Sequence, residues 1–406
     1  MNILFLTMSR FTDVEASGIY TDLMRKFRNE GHQVYVVAPR ERCFHEATNL
    51  KELHGVHILS VKTLNVQKTN VIEKGLGQVS IEYLFKQAVK KYLKDISFDL
   101  VLYSTPPITF PKVIAYVKQL NPKAHTYLLL KDIFPQNAID LGMMSKSGPK
   151  GLLYRSFRSK EKQLYKASDF IGCMSPANVK YVIKHNPEVD PKKVEIAPNS
   201  YEVTEYVAPS AEQMKEIRQK YGLPVDKPIF IYGGNLGKPQ GVSFLIKCLE
   251  ANRNRTNCHF VVIGTGTELP RLLEWGKANP NGCVTVMKGL PKADYDALAA
   301  SCDVGLIFLD YRFTIPNYPS RLLAYIMGKK PIIACTDPNC DTGSLAEANG
   351  YGFWCPSNSV EAFTACVDKM LAADIRLMGD KGYQFFLDNY TVEHTYGAIM
   401  QHFTGK

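Results

Sequence analysis

The feature that most constrains this chain is an alternation that runs twice. Short β-branched and aromatic runs are each followed by an amphipathic stretch. "NILFLT" leads into "GIYTDLMRKFRNEGH", where Ile19, Leu23, Met24 and Phe27 recur at helical spacing, and "QVYVVAP" comes next. Such a β-α-β unit predicts a parallel sheet, because the helix carries the chain back to the end where the first strand began. "DLVLYSTPP" from Asp99, "AHTYLLLKD" from Ala124 and "DFIGCMSP" from Asp169 read as later strands of that sheet. Each ends in Pro, Ser or Asp, at the edge where a parallel sheet presents its functional loops.

The pattern then stops. "PNSYEVTEYVAPSAEQMKEIRQKYGLPVDKP" is polar, holds four prolines and reads as a linker with a short helix. Alternation restarts in "IFIYGG", "HFVVIG", "VTVMKG", "DVGLIFLD" and "PIIAC", and the last stretch, "DKGYQFFLDNYTVEHTYGAIMQHF", is helical by pattern. The prediction is α/β: two doubly wound Rossmann-like domains facing a cleft. Their limits are residues 1–205 and 227–384, with a linker at 206–226 and a closing helix at 385–406.

Composition narrows the function classes. With 45% hydrophobic and 22% charged residues, the chain suits a globular protein with a buried core. Its ten cysteines form no C-x-x-C pair, so free thiols in a reducing compartment are expected. "MNILFLTMSR" reads as a first buried strand, not a signal peptide, and no window is apolar enough to span a membrane. The net charge of +10 favours acidic partners. The histidines form no pair at ligand spacing, and neither H-E-x-x-H nor G-x-S-x-G occurs, so zinc and serine-hydrolase chemistries are not expected.

Two glycine-bearing stretches carry candidate chemistry. In "IYGGNLGKPQG" a strand runs into a turn, and a helix starts near Gly241. Gly233, Gly234 and Gly237 allow close backbone approach, while Asn235, Lys238 and Gln240 supply donors to an anion. The Gly-Lys-Ser/Thr ending of a P-loop is missing, so the turn offers no hydroxyl for Mg²⁺. A plain strand-to-helix turn stays open as the alternative. In "FTIPNYPSRLLAYIMGKKPIIA", Pro319 suits a first helical position, with Ser320 and Arg321 in the first turn. An Arg there opposes the helix dipole unless an anion is bound, which points to a diphosphate. "VVIGTGTELPRL", with Gly266, is a third strand-end turn. In "KGLPKADYDAL", Asp294 and Asp296 match a D-x-D string, but Asp294 reads as a helix cap, and no metal is expected.

In the first half, "LLLKDIFPQNAIDLG" places Lys131 and Asp132 directly after an apolar strand. A carboxylate there could orient or deprotonate a hydroxyl; a helix cap or salt bridge is the alternative. Lys146 to Lys166 carries seven positive residues and one acid, Glu161, with Leu153, Phe157 and Leu164 on a helical face. It has the character of a basic interfacial helix for an anionic membrane surface; the alternative is a surface helix packed on its own sheet.

In order along the chain, "GIYTDLMRKFRNEGHQVYVVAP", "YSTPP", "KDIFPQNAIDLG", "RSKEKQLYKASDFIGCMSPANVKYV", "APNSYE", "YGGNLGKPQG" and "PSRLLAYIMGKKPIIA" resemble motifs of the GT-B-fold glycosyltransferases of family 4, a retaining group, and especially the bacterial enzymes of surface-polysaccharide synthesis. The resemblance covers nearly the whole chain. It implies a nucleotide-sugar donor in the second domain, with the closing helix returning to the first. By it, Gly234, Asn235, Lys238, Gln240 and Gly266 lie at the donor, Ser320 and Arg321 grip the diphosphate, Gly289 and Leu290 edge the base, and Asp132 is the catalytic carboxylate facing the sugar. It further implies no metal or other cofactor, a lipid-linked or glycan acceptor and a cytoplasmic location at the membrane face; the modest charge and the lack of a recognised module argue against a nucleic-acid partner. One departure stands out: Ala324 occupies the place of a Glu that accepts hydrogen bonds from the ribose. It motivates one rival reading, a non-catalytic partner subunit. A nucleotide-sugar epimerase is the other, although its usual paired acids are not evident.

Overall fold

A computed structural model describes residues 1–65, 71–203 and 206–403. They form two compact units, Met1–Val203 with Tyr390–Lys406, and Thr204–Asn389.

The first unit is built on strands β1 (Asn2–Leu6), β2 (Gln33–Glu41), β3 (Asn49–Leu53), β4 (Val56–Thr63), β5 (Leu100–Ser104), β6 (His125–Leu130), β7 (Phe170–Cys173) and β8 (Val194–Ile196). Their order is β3-β4-β2-β1-β5-β6-β7-β8. Every pairing is parallel except β3 with β4. Both faces of the central strands are buried, which explains the unbroken apolar runs. Ile3, Phe5, Val34, Val36, Leu100 and Leu102 share one core with Leu23, Met24 and Phe27 of the helix Ile19–Asn29.

The helix Val392–Met400 joins this same core through Val392 and Ile399. Its entry is pinned by two backbone bonds, Tyr201 N to Tyr390 O at 3.1 Å and Val392 N to Tyr201 O at 2.9 Å. The Thr395 hydroxyl donates to Pro198 O at 2.9 Å.

The second unit has an all-parallel sheet of β9 (Ile229–Asn235), β10 (His259–Thr265), β11 (Val284–Lys288), β12 (Val304–Phe308), β13 (Ile332–Thr336) and β14 (Gly352–Pro356). The order is β11-β10-β9-β12-β13-β14. Strand order reverses between β9 and β12, and the crevice at the carboxyl ends of such a pair is where doubly wound sheets bind ligands.

The chain changes unit after Val203 and after Asn389, not at the expected 205 and 385. The closing segment is two helices. Ile375–Asn389 stays with the second unit, where Gly379 and Gly382 are buried. A Cβ at Gly379 would meet Lys329 O at 2.1 Å. The expected linker also contains the helix Ala211–Lys220, which the second unit holds: buried Arg218 donates to Ser301 O at 2.8 and 2.6 Å and pairs with Asp303 at 2.8 Å. Residues 204–205 and 404–406 of the expected segments lie outside the described residues.

The basic stretch forms the helix Gly148–Lys166. Its apolar residues do not share one solvent face. Leu164 is fully buried, Phe157 packs edge-on against Phe134 at 5.0 Å, and Leu153 is exposed beside Leu152. Several cations are already paired: Arg158 with Glu161, Lys160 with Glu82 and Lys162 with Glu188. The side chain of Lys150 lies outside the described residues. Among the described residues no helix is long and apolar enough to cross a membrane.

Candidate functional site

The carboxyl edge of the second sheet gathers the glycine turns. In β9 the register places Gly233, Gly234 and Asn235 opposite Ile263, Gly264 and Thr265 of β10. Past the strands, Leu236 N donates to Thr265 O at 2.7 Å and Gly289 N to Gly264 O at 2.7 Å, so three strand-end turns are laced together. Two of these glycines take a positive φ. Gly266 has φ 146°, and a Cβ there would meet Leu236 O at 2.4 Å. Gly234 has φ 122°, and its Cβ position is 3.3 Å from Arg321 Nη2.

Arg321 is the charge of the site. Its guanidinium carbon sits 4.2 Å from the centroid of the Tyr232 ring, a cation–π contact that fixes the group without neutralising it. Nη2 donates to Asn235 O at 3.4 Å. Nη1 is buried and has no hydrogen-bond partner among the described residues. A buried unsatisfied donor of a charged group costs free energy until something accepts from it. An oxyanion beside Gly234 would do so.

The turn itself is pre-shaped. Gln240 Oε1 accepts from Asn235 Nδ2 and from Gly237 N, both at 3.0 Å, closing the loop on its own polar groups. Lys238 lies in the 3₁₀ turn Lys238–Gln240 with an exposed side chain. The helix Val242–Asn252 then begins behind Gly241.

The other expected residues fall as follows. Ser320 is exposed and stands before the helix Arg321–Met327, already in helical conformation and without a side-chain cap bond. The helix therefore starts two residues later than the expected Pro319, because Leu322 N and Leu323 N close tight turns on Pro319 O and Ser320 O. Gly289 is exposed and Leu290 half-exposed after β11. Ala324 is exposed one turn along the Arg321 helix. Asp294 is not a cap: the helix Lys292–Ala300 begins behind Pro291, and Asp294 pairs with Lys220 at 2.9 Å while Asp296 pairs with Lys292 at 2.6 Å.

Three tyrosines that no motif singled out support the turn. The buried Tyr325 hydroxyl accepts from Gly233 N at 3.1 Å and donates to Ile231 O at 3.0 Å. Tyr232 is the platform for Arg321. The Tyr295 hydroxyl fills the space where a Gly233 Cβ would be. Their signal was present as the last aromatic before the glycines (Tyr232) and as the residue one turn after Arg321 (Tyr325).

In the first unit, Asp132 follows β6 and is half-buried. Asn137 Nδ2 donates to both its oxygens, at 2.9 and 3.0 Å. Burial pushes its carboxyl up to about 6, against the lowering effect of the Ile133 amide and of Asn137. Beside it, Lys131 donates to Ala197 O at 3.0 Å, and burial brings its ammonium down to about 7. Thr105 ties the turn, its Oγ1 accepting from Lys131 N at 3.0 Å.

Comparison with known proteins places the two halves in separate families. Residues 19–205 match the family described as Glycosyltransferase Family 4, and residues 213–379 match Glycosyl transferases group 1. A probable glycosyltransferase, WbjE of Pseudomonas aeruginosa, is 23% identical over 80% of this chain and 78% of its own. A putative colanic acid biosynthesis glycosyl transferase, WcaI of Escherichia coli, is 24% identical over 61% of this chain and 60% of its own. Among solved structures, Anabaena HepE in complex with UDP and glucose superposes with a TM-score of 0.70 over the full length of both chains, at 15% identity.

Proposed function

This chain belongs to the GT-B glycosyltransferases, a family 4 domain followed by a group 1 domain, and we propose that it moves a sugar from a nucleoside diphosphate to a lipid-linked or glycan acceptor in bacterial polysaccharide synthesis. UDP is the first choice of carrier. Support comes from HepE, whose structure holds UDP and glucose, and from WcaI, named for colanic acid biosynthesis.

One observation carries the reading: Arg321, seated on Tyr232, keeps Nη1 buried and unpartnered beside the Gly234 turn. In the proposed assignment the diphosphate lies between Arg321, Ser320 and the amides of Gly234 and Asn235, with Lys238 and Gln240 at its rim. Gly266, Gly289 and Leu290 border the nucleoside. Fixed donors and a guanidinium then stabilise the leaving diphosphate, the task a metal performs elsewhere. The reaction is taken as retaining and metal-independent: the acceptor attacks from the leaving-group face, and the departing phosphate takes the proton. Asp132 is assigned as the catalytic carboxylate that orients the reacting hydroxyl.

The acceptor reading includes a cytoplasmic, peripheral position at the membrane. Leu152, Leu153 and Met143 are exposed near the basic helix, where an anionic lipid surface has apolar anchors and the exposed cations Lys146, Arg155 and Lys166 to meet. Calorimetric titration of the protein with UDP tests the donor assignment; no heat at millimolar UDP, with the fold intact, rejects it. Product formation from radiolabelled UDP-sugars and membrane-extracted acceptor tests the transfer.

A further inference from the structure

A cavity of about 390 Å³ opens at the carboxyl edge of the first unit's sheet, away from Asp132, and neither the motifs nor the family resemblance assigns it. Met8 and Arg10 reach it from the segment after β1, Pro39, Arg40 and Glu41 from the end of β2, and Cys43 and Phe44 from the turn that follows. Two guanidiniums converge on one ring: Arg40 lies 4.4 Å and Arg10 4.8 Å from the Phe44 centroid. Glu46 accepts from Arg40 Nη2. Arg40 Nε and Nη1 are buried with no hydrogen-bond partner among the described residues.

We propose that this pocket binds the phosphate or diphosphate group of a phosphorylated acceptor. The unpartnered donors of Arg40 and the second guanidinium of Arg10 together call for an anion that carries more than one charge and several acceptor oxygens, which a phosphoryl group supplies and a single carboxylate does not. Arg10, exposed at the mouth, adds a second charge that solvent does not have to give up until the anion arrives. Glu46, which accepts from Arg40 Nη2, offsets part of the charge and holds Arg40 in place, while Glu41 lines the same pocket. The Nε and Nη1 of Arg40 keep no partner among the described residues. Phe44, 40% exposed, offers an apolar surface for whatever carries the phosphate. The proposal deepens the transferase reading, because it names the acceptor's anionic group, but its test does not depend on transfer.

Cys43 lines the pocket and is the only exposed cysteine of the ten, so alkylation of the full-length protein reports on this site. Inorganic diphosphate and farnesyl diphosphate are each expected to slow Cys43 labelling by about tenfold at saturation, and Arg40→Gln and Arg10→Gln each to shift the protecting concentration up by about tenfold. Stronger protection by farnesyl diphosphate assigns a lipid-borne group, and equal protection assigns a soluble one. Arg10 is exposed, so its variant tests the site even if Arg40→Gln fails to fold. An unchanged labelling rate with both ligands, or full protection in the Arg10→Gln protein, overturns the proposal. UDP titration of the same samples is scored separately: lost UDP binding with intact Cys43 protection removes the donor assignment and leaves the pocket standing.

Discussion

In the second unit the carboxyl edge of the sheet is made of Gly233, Gly234 and Gly266, main-chain amides and one guanidinium set on a tyrosine ring. In the first unit the same edge carries side chains that titrate or carry charge: Lys131, Asp132, Arg10 and Arg40. The second arrangement is fixed before any ligand arrives and does not change with pH. The first responds to its surroundings, as the raised carboxyl of Asp132 and the lowered ammonium of Lys131 record. A preorganised edge suits the part of a reaction that never varies, a diphosphate and its neutralisation. A side-chain edge suits acceptor chemistry, which differs from one transferase to the next.

The largest expected effect breaks the preorganised edge. Arg321→Ala should weaken UDP binding by about 2–3 kcal/mol, the worth of hydrogen bonds to a charged group. Arg321 stands at a helix start and its loss buries nothing new, so the melting temperature should hold. An unchanged calorimetric dissociation constant would take Arg321 out of the site. Next, Gly266→Ala should cost about 2 kcal/mol of stability, because it forces a Cβ onto Leu236 O at a positive φ. Urea unfolding monitored in the second unit measures it, and an unaltered midpoint would mean that the turn yields easily.

That contrast also explains what could be read from the chain alone. A backbone that must approach closely advertises itself as glycine, and the strings around Gly234, Gly266 and Gly289 were legible for that reason. The parallel strands announced themselves because both faces are buried. Strands β3, β4, β8 and β14 were not singled out: β3 is mostly exposed, β8 has only three residues, and neither shows a clear apolar run. The tyrosine supports were hidden because they act through space. Tyr325 reaches back 92 residues to Gly233. The pairing of Arg10 with Arg40 over Phe44 has the same character, since no local spacing brings the ends of β1 and β2 together. Helix starts were misplaced at Pro319 and Asp294, where tight turns and a proline cap moved the boundary by a few residues.

Ala324→Glu sharpens the comparison from the other side. It returns a charged acceptor to an exposed helix position one turn from Arg321. If the second unit's edge is otherwise complete for a nucleotide, UDP affinity should rise by about 1.5 kcal/mol, the low end for a charged hydrogen bond. The fold should be indifferent, because the site is open to solvent. A lower affinity would show that another group already occupies the ribose position.

The smallest expected effect belongs to the responsive edge, and its sign follows from Asp132. Burial raises its folded-state value from 3.8 to about 6. Between those two values the native protein holds a proton that the unfolded chain has released, so stability falls as pH rises through that window. Below pH 4 both states are protonated and Asp132 behaves much like Asn. Above pH 6 the native state carries a half-buried carboxylate and its full cost. Lys131 stays charged throughout that window, since its value of about 7 lies above it, and so contributes a nearly constant offset. Asp132→Asn should therefore match the wild type near pH 4 and exceed it by about 1 kcal/mol at pH 7, a figure kept small because the carboxyl is partly open to solvent. Urea midpoints for both proteins at four pH values between 4 and 7 give the difference directly. If the gap were flat, or opened toward acid, the carboxyl would not be the strained group that the acceptor-side reading requires, and the first unit's edge would be as indifferent to pH as the second.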